Sequence, residues 1–586
     1  MADEPVILEA VPPTQDHIRN WSIRFSEREN QILLVVAVVI GALAGLATVA
    51  FIVLTERLGA RLYPPGVSAS RRIIGPILGS LSMGYLLARF FRDARGNGVI
   101  QTKTAFYSSD GRITLHSVTG KFLCTSVTLA SGIPLGPEGP SVAVGAGIAS
   151  IIGRKLGLSS EKVRALLPIG ATAAIAAAFN TPIAAVLFSL EEIVGDLNAP
   201  VLGSVVLASA TAWIILRLLL GNNPIFHVPQ YQLVNPLEFI FYAVLGVVGG
   251  IVSGVFIGAT IWLRGKFKLL PEKTLWAQPL AGGIVVGLAG WLVPDVLGVG
   301  YIHISALLAG NMVIRLAATL VLLKLITVIV SSASGNAGGI FAPALFIGAM
   351  LGGTVGGVAH HLLPAQTGIP GAYALVGMGA LFAGIVRTPM TSVMLVFEVT
   401  RDYAIIVPLM IANLVSYFVS RKIHPETLYE SLADQEGIHL PSARDHERVG
   451  RKIVQVMRKP DEVLAAELGL AAASEVVRGS QLSSWPVVSQ KGIVGVVSAK
   501  SLLRLVEEGR TDAKLGEIVG PGPFPHVHMD HPLELALARM GEEGLETLPV
   551  VSRFNVNELV GVVHLSDILK AYGVAASNAR SGLPLS

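Results

Sequence analysis

Charged residues are scarce in this chain of 586 residues. Asp, Glu, Lys and Arg make up 14% of it, whereas a soluble domain carries about 25%, and the mean hydropathy is +0.63. So few charges cannot cover a water-facing surface, which excludes a soluble enzyme, a disordered protein and a fibrous protein for most of the chain. We therefore expect a polytopic membrane protein and not an enzyme.

Cysteine and strong net charge are also missing. The single cysteine, Cys124, excludes a disulfide framework and a cysteine-based zinc site, and we expect no metal centre. The net charge of +4 is small, so it indicates loop charge of the positive-inside kind and no nucleic-acid partner. Residues 1–30 are polar and lack the apolar core of a cleavable signal peptide, which predicts an N-terminal cytoplasmic segment.

Apolar segments recur from Ile32 to about Val419, among them Leu166–Leu190 and Met390–Val419. Many others are shorter than the roughly 20 residues that a spanning helix needs. Short segments interrupted by Gly and Pro indicate re-entrant or broken helices, which persist in a bilayer only when they are buried in protein or line a wet cavity. This pattern favours an α-helical transporter or channel.

The membrane region contains an internal repeat. Thr181-Pro182 and Thr388-Pro389 stand 207 residues apart, and each proline is followed nine residues later by a glutamate. The loops Gly136–Pro140 and Gly339–Pro343 recur at an offset of 203 residues. Two related halves in an inverted repeat, with motifs at the ends of broken helices, are typical of a transporter with a midplane site.

Glu138 lies just before an expected helix N-terminus, and the start of Phe341–Leu351 repeats that arrangement. The exposed N–H groups of a helix start attract anions, and two of them can hold an anion weakly enough for it to leave. A carboxylate there can occupy the site as a tethered anion and move away when protonated, which couples anion passage to a proton. An ordinary glutamate that stabilises a helix start would look the same.

A more highly charged region follows Arg421, and it repeats itself. Trp485–Ser489 returns as Leu548–Ser552, and Val494–Val497 returns as Val560–Val563. Each unit is typical of a β-hairpin that enters a helix. The pair resembles tandem CBS domains at 449–510 and 511–575, the alternative being an unrelated hairpin duplication. Residues 576–586 are expected to be a disordered tail.

The membrane motifs together resemble those of the CLC chloride channel and transporter family. Gly136-Pro137-Glu138-Gly139-Pro140 is similar to its gating loop and Gly339-Ile340-Phe341-Ala342-Pro343 to its anion-binding loop. The resemblance covers about residues 30–575, with a membrane domain at 31–432. It implies a homodimer with one anion pathway per subunit, in the plasma (inner) membrane, with both termini cytoplasmic.

The resemblance also implies roles for individual residues. Glu138 is the gating glutamate, and the backbone N–H groups of Ile340 and Phe341 bind the anion. Tyr429 is the inner-gate tyrosine, unless it is an ordinary interfacial tyrosine. Glu192 is the internal proton relay, and its presence favours exchange over passive conduction. Its neighbour Glu191 is expected to be structural.

Two positions depart from the family pattern. Asn97 stands where the family has a selectivity serine; an amide can donate two hydrogen bonds where a hydroxyl donates one, although Asn97 could instead only turn a loop. Pro137 stands where Lys or Arg is usual, which removes a positive charge beside the gate. Lys103 and Lys121 are candidates to replace that charge.

In the CBS region, His564–Asp567 resembles the segment that binds a nucleotide ribose, with Asp567 as the ligand, unless Asp567 only caps a helix. We therefore predict exchange of chloride, or a related inorganic anion, for protons, with no required cofactor and a possible adenine nucleotide on the CBS pair. The alternatives are a passive voltage- or ligand-gated chloride channel, a CBS-regulated cation transporter and a membrane-anchored nucleotide sensor.

Overall fold

The computed structural model falls into two compact units, Met1–Leu440 and Pro441–Ser586. It describes residues 14–64, 66–197, 201–221, 226, 228–229, 231, 234–438, 440, 451–460, 462–480, 482–490, 492–510, 513–519, 524–553 and 555–572, with side chains from residue 32 onward. The predicted tail, 576–586, lies outside these residues, as do residues 1–13.

The described part of the first unit is helical, and seven of its helical stretches are long and apolar enough to cross a membrane. The helices are α1 (Thr14–Leu62), α2 (Ala69–Arg89), α3 (Gly98–Tyr107), α4 (Leu115–Ala130), α5 (Glu138–Lys155), α6 (Ser160–Phe179), α7 (Pro182–Phe188), α8 (Leu202–Leu220), α9 (Glu238–Lys268), α10 (Pro279–Leu292), α11 (Tyr301–Leu308), α12 (Ile314–Ala333), α13 (Phe341–Leu362), α14 (Pro370–Val386), α15 (Pro389–Thr400), α16 (Ile406–Ile423) and α17 (Leu428–Gln435). The domain boundary expected at 432 falls inside α17.

The two long apolar runs each hold two helices rather than one. In the first run, α6 ends at Asn180, whose backbone is left-handed with φ 56°, and Pro182 opens α7. In the second, α15 ends at Arg401, with φ 55°, before α16 begins. A left-handed residue turns the chain out of a helix, so each run contains a break that its overall apolar character does not reveal.

The two halves pack in the same way. Helix α5 crosses α6 so closely that a Cβ on Gly145 would lie 2.2 Å from the Gly170 carbonyl oxygen. Helix α13 crosses α14 just as closely, since a Cβ on Gly348 would lie 2.3 Å from the Gly377 carbonyl oxygen. Only glycine fits either crossing, so the repeat seen in the sequence is also a repeat of helix packing.

Each half also closes a helix start of the other half. The Glu191 carboxylate accepts hydrogen bonds from the backbone N–H groups of Met390 (3.3 Å) and Thr391 (2.8 Å) at the start of α15. The Glu398 carboxylate accepts from Ile183 (3.0 Å) and Ala184 (2.7 Å) at the start of α7. These carboxylates accept hydrogen bonds from N–H groups that have no partner within their own helix. Their negative charge also interacts favourably with the positive end of the helix dipole.

The second unit contains two hairpins that share one design. Its elements are β1 (Leu464–Ala465), α18 (Leu470–Gly479), β2 (Ser484–Ser489), β3 (Gly492–Ser498), α19 (Ala499–Glu507), α20 (Leu515–Val519), α21 (Leu533–Glu543), β4 (Thr547–Val551), β5 (Leu559–His564) and α22 (Leu565–Ala571). The antiparallel pairs β2–β3 and β4–β5 each have a register shift after the first valine of Pro-Val-Val, and each enters a helix. The predicted duplicated hairpin is confirmed.

We predict that Glu191→Ala and Glu398→Ala each lower the free energy of unfolding by about 1–2 kcal/mol, because each leaves two helix-start N–H groups, one of them on a buried residue, without an acceptor. Chemical unfolding in detergent micelles measures this. Glu161→Ala is the matched control, since Glu161 is exposed in the first turn of α6. Equal stability of all three variants would show that the reciprocal caps contribute nothing.

Candidate anion site between two helix starts

Two loops from opposite halves pair at the centre of the first unit. The Gly136 N–H donates to the Gly339 carbonyl (2.8 Å), and the Gly339 N–H donates back to the Gly136 carbonyl (2.7 Å). A Cβ on Gly339 would lie 2.8 Å from the backbone nitrogen of Gly139, so the second motif lies directly against the first. This two-bond bridge brings the N-termini of α5 and α13 together.

Glu138 is the first residue of α5, so the helix begins at Glu138 and not just after it, as we expected. Its side chain is fully buried, and its Oε1 accepts a hydrogen bond from the Tyr301 hydroxyl at 2.8 Å. Its Oε2 has no partner within hydrogen-bonding geometry among the described residues. The carboxyl group as a whole lies near the backbone N–H of Glu138 itself, in α5, and that of Ala342, in the first turn of α13. The carboxylate therefore sits between the two helix starts.

Ile340 is the N-cap of α13, and Phe341 is its first residue. Their N–H groups have no acceptor among the described residues, as expected at a helix start. The Phe341 ring packs among Phe188 (ring centroids 4.9 Å apart), Phe382 (5.3 Å) and the buried ring of Tyr429 (6.3 Å). Tyr429 thus belongs to the aromatic wall around the same helix start, and its hydroxyl makes no hydrogen bond within the described part of the chain.

Asn97 is the N-cap of α3, and its Oδ1 accepts from the Val99 N–H at 2.9 Å. It lies beside the loop Gly136–Pro140, because a Cβ on the next residue, Gly98, would be 2.1 Å from the Gly139 carbonyl. The side-chain oxygen is thus used in turning the loop. The amide nitrogen keeps its two donors and has no partner among the described residues.

Glu192 is buried in a π-helical turn, Ser189–Val194, that follows α7. Its Oε1 forms an ion pair with Lys103 Nζ at 2.8 Å, and both side chains are less than a tenth exposed. A buried carboxylate needs such a partner, because an unpaired charge away from water is strongly unfavourable. Lys103 therefore stabilises the ionised form of Glu192, and a proton that binds to Glu192 must compete with this cation.

The two lysines considered as substitutes for a cation at residue 137 are engaged elsewhere. Lys103 pairs with Glu192, and Lys121 Nζ donates to the Gly96 carbonyl at 2.8 Å. The expectation that either one replaces the charge missing at Pro137 is therefore not met. Both cations instead lie with the segment that carries Asn97 and with the Glu192 turn.

A cavity of about 400 Å³ reaches Asn97 and Gly338. Three cations and two carboxylates line it, namely Arg95, Arg264, Lys268, Glu272 and Glu436. Arg264 is paired with Glu436, whereas Arg95 donates to the neutral Gln278 at 3.2 Å. The excess of positive charge favours anions over cations in this space.

In the second unit, Asp567 lies in the first turn of α22. Its Oδ1 accepts from the Arg458 guanidinium, while its Oδ2 is buried without a hydrogen-bond partner among the described residues. At the corresponding place in the first repeat, Ser501 donates and accepts only within its own turn, with Ser498. Of these two matching positions, only Asp567 in the second repeat has a buried acceptor without a partner among the described residues.

Sequence reasoning missed two partners of the candidate residues. Tyr301 is 163 residues from Glu138, and no motif marks it. Lys103 did carry a signal, because a lysine in the apolar α3 needs a buried partner. Its partner, 89 residues away, could not be identified from spacing.

Comparison with known proteins identifies the class. The model of the voltage-gated chloride channel family matches residues 79–421, and the CBS domain model matches residues 453–508 and 515–574. The chain belongs to the voltage-gated chloride channel (CLC) family and carries two CBS domains. It is therefore a multi-span membrane protein of a family of transporters and channels.

Individual relatives are similar over more than half of this chain. A putative chloride channel protein, ClcB-like, from Ralstonia nicotianae is 31% identical over 68% of this chain and 95% of its own. An H(+)/Cl(-) exchange transporter, ClcA, from Vibrio campbellii is 32% identical over 59% of this chain and 76% of its own. The crystal structure of a slow cyanobacterial Cl-/H+ antiporter, 24% identical, has the same fold, with a TM-score of 0.63 over 69% of this chain and 97% of that one.

We predict that Lys103→Met lowers the free energy of unfolding by about 3–5 kcal/mol, because it leaves Glu192 buried without its cation. The double variant Lys103→Met/Glu192→Leu should be clearly more stable than Lys103→Met alone, since no charge then remains unpaired. Chemical unfolding in micelles compares them. Additive losses in the double variant would mean that the two side chains do not stabilise each other.

Proposed function

We propose that this protein exchanges an inorganic anion, chloride or a closely related one, for protons across a membrane. The observation that carries the proposal is the buried Glu138 carboxylate between the starts of α5 and α13. A carboxylate in that position competes with a free anion for the same N–H groups. Once protonated it loses its charge, and the anion can then take its place.

Each transport step has a candidate residue. Glu138 gates the anion and carries the proton on one side, and Glu192 relays the proton on the other. The N–H groups of Ile340 and Phe341 bind the anion together with the Tyr429 hydroxyl. The free amide donors of Asn97 select among anions where the anion pathway meets the cavity that Asn97 lines.

Two observations favour exchange over the alternatives. A passive chloride channel of the same fold has no need of the paired buried glutamate at 192, and two relatives are named as H(+)/Cl(-) exchange transporters. A cation transporter needs several oxygen ligands facing one pore. Here the carboxylates Glu191, Glu192 and Glu398 are held by N–H groups or by a lysine.

We further propose that the subunit works as a homodimer in the plasma (inner) membrane, with both termini in the cytoplasm. The CBS pair then faces the cytoplasm, where adenine nucleotides occur. The buried, unpartnered Oδ2 of Asp567 suits a ribose hydroxyl. A nucleotide bound there would regulate transport and take no part in the exchange itself.

The exchange is tested with the full chain in liposomes, by recording proton movement driven by a chloride gradient. We expect the wild-type protein to move protons against their own gradient. Glu138→Gln should reduce proton movement at least tenfold while anion flux continues, because a neutral amide cannot carry the proton. Glu161→Gln, at an exposed position, is the control and should behave as wild type.

The alternative functions predict different anion and proton fluxes in the same liposomes. Anion flux with no proton movement in the wild-type protein would make it a channel. Proton movement that persists in Glu138→Gln would remove Glu138 from the mechanism. Parallel gradients of nitrate and fluoride would identify the preferred anion.

The nucleotide site is tested by titrating ATP into the purified full chain. We expect binding that weakens at least tenfold in Asp567→Ala, because the variant lacks the ribose acceptor. Ser501→Ala changes the matching position of the first repeat and should leave affinity unchanged. Arg458→Ala removes the ion pair but keeps the Asp567 carboxylate, so it separates the effect of losing the ion pair from the effect of losing the ribose acceptor. Equal affinity in Asp567→Ala and the wild type would exclude this site.

A further inference from the structure

Tyr301 is the one side chain, among the described residues, that hydrogen-bonds the Glu138 carboxylate. Its hydroxyl donates to Oε1 at 2.8 Å, while Oε2 remains unpartnered. A hydrogen bond to a charged group contributes more than one between neutral groups, and more still away from water. Tyr301 therefore favours the ionised carboxylate in its position between the helix starts.

The backbone that carries Tyr301 is fixed by buried contacts. Tyr301 opens α11, directly after a turn in which Gly298 (φ 64°) and Gly300 (φ 90°) are left-handed. Lys324 Nζ, fully buried, donates to the carbonyls of Val296 (3.0 Å) and Gly298 (2.6 Å) inside this turn. Such charge-assisted bonds to carbonyl oxygens hold the turn in one conformation.

The same turn is tied to the chain that leads into the gating loop. The Gly298 N–H donates to the Gly132 carbonyl at 2.8 Å, four residues before Gly136. The Tyr301 ring packs edge-on against the buried Phe226, with ring centroids 5.5 Å apart. The hydroxyl is thus presented to Glu138 from a rigid support, which is what a positioning residue requires.

We propose that Tyr301 is a positioning residue of the gate, whose hydroxyl holds the Glu138 carboxylate in the anion site and so sets the pH at which the site opens to anions. This inference rests on the exchange mechanism proposed above. Without the hydroxyl, the ionised carboxylate is held less firmly. Protonation then releases it at a higher pH, and anions compete with it more effectively.

Other titratable groups lie around Tyr301 and Glu138, and a test variant must leave them unchanged. Glu56 of α1 interacts electrostatically with Tyr301, and Tyr429 of α17 interacts with Glu138. Lys324 of α12 approaches from the far side of the turn, since its Nζ lies 3.4 Å from the position of a Cβ on Gly300. Tyr301→Phe leaves all three in place and keeps the ring packed on Phe226.

Tyr231→Phe is the matched control. The Tyr231 hydroxyl donates to the Leu308 carbonyl at 2.7 Å, at the opposite end of α11. Its removal deletes a hydroxyl that fixes the same helix but leaves the bond to Glu138 unchanged. A purely structural role for Tyr301 predicts the same behaviour for both variants.

The measurement is chloride flux through the full chain in liposomes, as a function of pH. We expect Tyr301→Phe to move the pH of half-maximal flux upward by about one unit, the tenfold change in proton binding that one such hydrogen bond supports. Tyr231→Phe should leave that pH unchanged. In a Glu138→Ala background, Tyr301→Phe should have no further effect, because the group it acts on is gone.

The possible failures are distinguishable. If Tyr301→Phe has the wild-type pH of half-maximal flux, and flux still depends on pH through Glu138, the role of Tyr301 is overturned and the exchange mechanism is not. A shift that persists in Glu138→Ala, or an equal shift in Tyr231→Phe, would show that the effect is structural and would also overturn it. Unchanged pH dependence in Glu138→Ala itself would overturn the proposed exchange mechanism, and this inference with it.

Discussion

The pairing of Gly136 with Gly339 is the contact on which the site depends. Two backbone hydrogen bonds join loops that stand about 200 residues apart, and neither loop could place an anion site alone. One helix start carries only about half a unit of positive charge. In the exchange that we propose, two helix starts brought together by this pairing attract an anion without the full charge of a lysine or arginine, so the bound anion can still leave.

The buried charges of the membrane unit are compensated in distinct ways. Glu191 and Glu398 are fixed by helix-start N–H groups of the other half, and Glu192 is fixed by Lys103. Glu138 differs, because its one side-chain hydrogen-bond partner among the described residues is a neutral hydroxyl, that of Tyr301, and its buried Oε2 has no partner there. A carboxylate held by one neutral donor can move more easily than one held by a cation or by several N–H groups, and for this reason we propose Glu138, and not the other three, as the gate.

Much of this arrangement could be predicted from sequence. The duplicated hairpins follow from Pro-Val-Val and Val-Gly-Val-Val, because strand alternation and a turn are local properties. The motif loops follow from their glycines and prolines, and the repeat offset indicates that they are related. The breaks at Asn180 and Arg401 were not predicted, although each carries a signal: Asn180 is followed two residues later by a proline, and Arg401 is followed by the charged Asp402. Tyr301 and Lys103 were missed because their partners are distant in sequence and are brought close only by helix packing.

The central claim is that the Glu138 carboxylate occupies a site built for an anion. Anomalous scattering from bromide-soaked crystals of the full chain tests it most directly, by comparing the wild-type protein with Glu138→Ala. The account predicts that the variant gains a bromide peak at the starts of α5 and α13, beside the N–H groups of Ile340 and Phe341, at the position that the carboxylate fills in the wild type. If the variant binds no anion there, the paired helix starts are a structural joint and the account is contradicted.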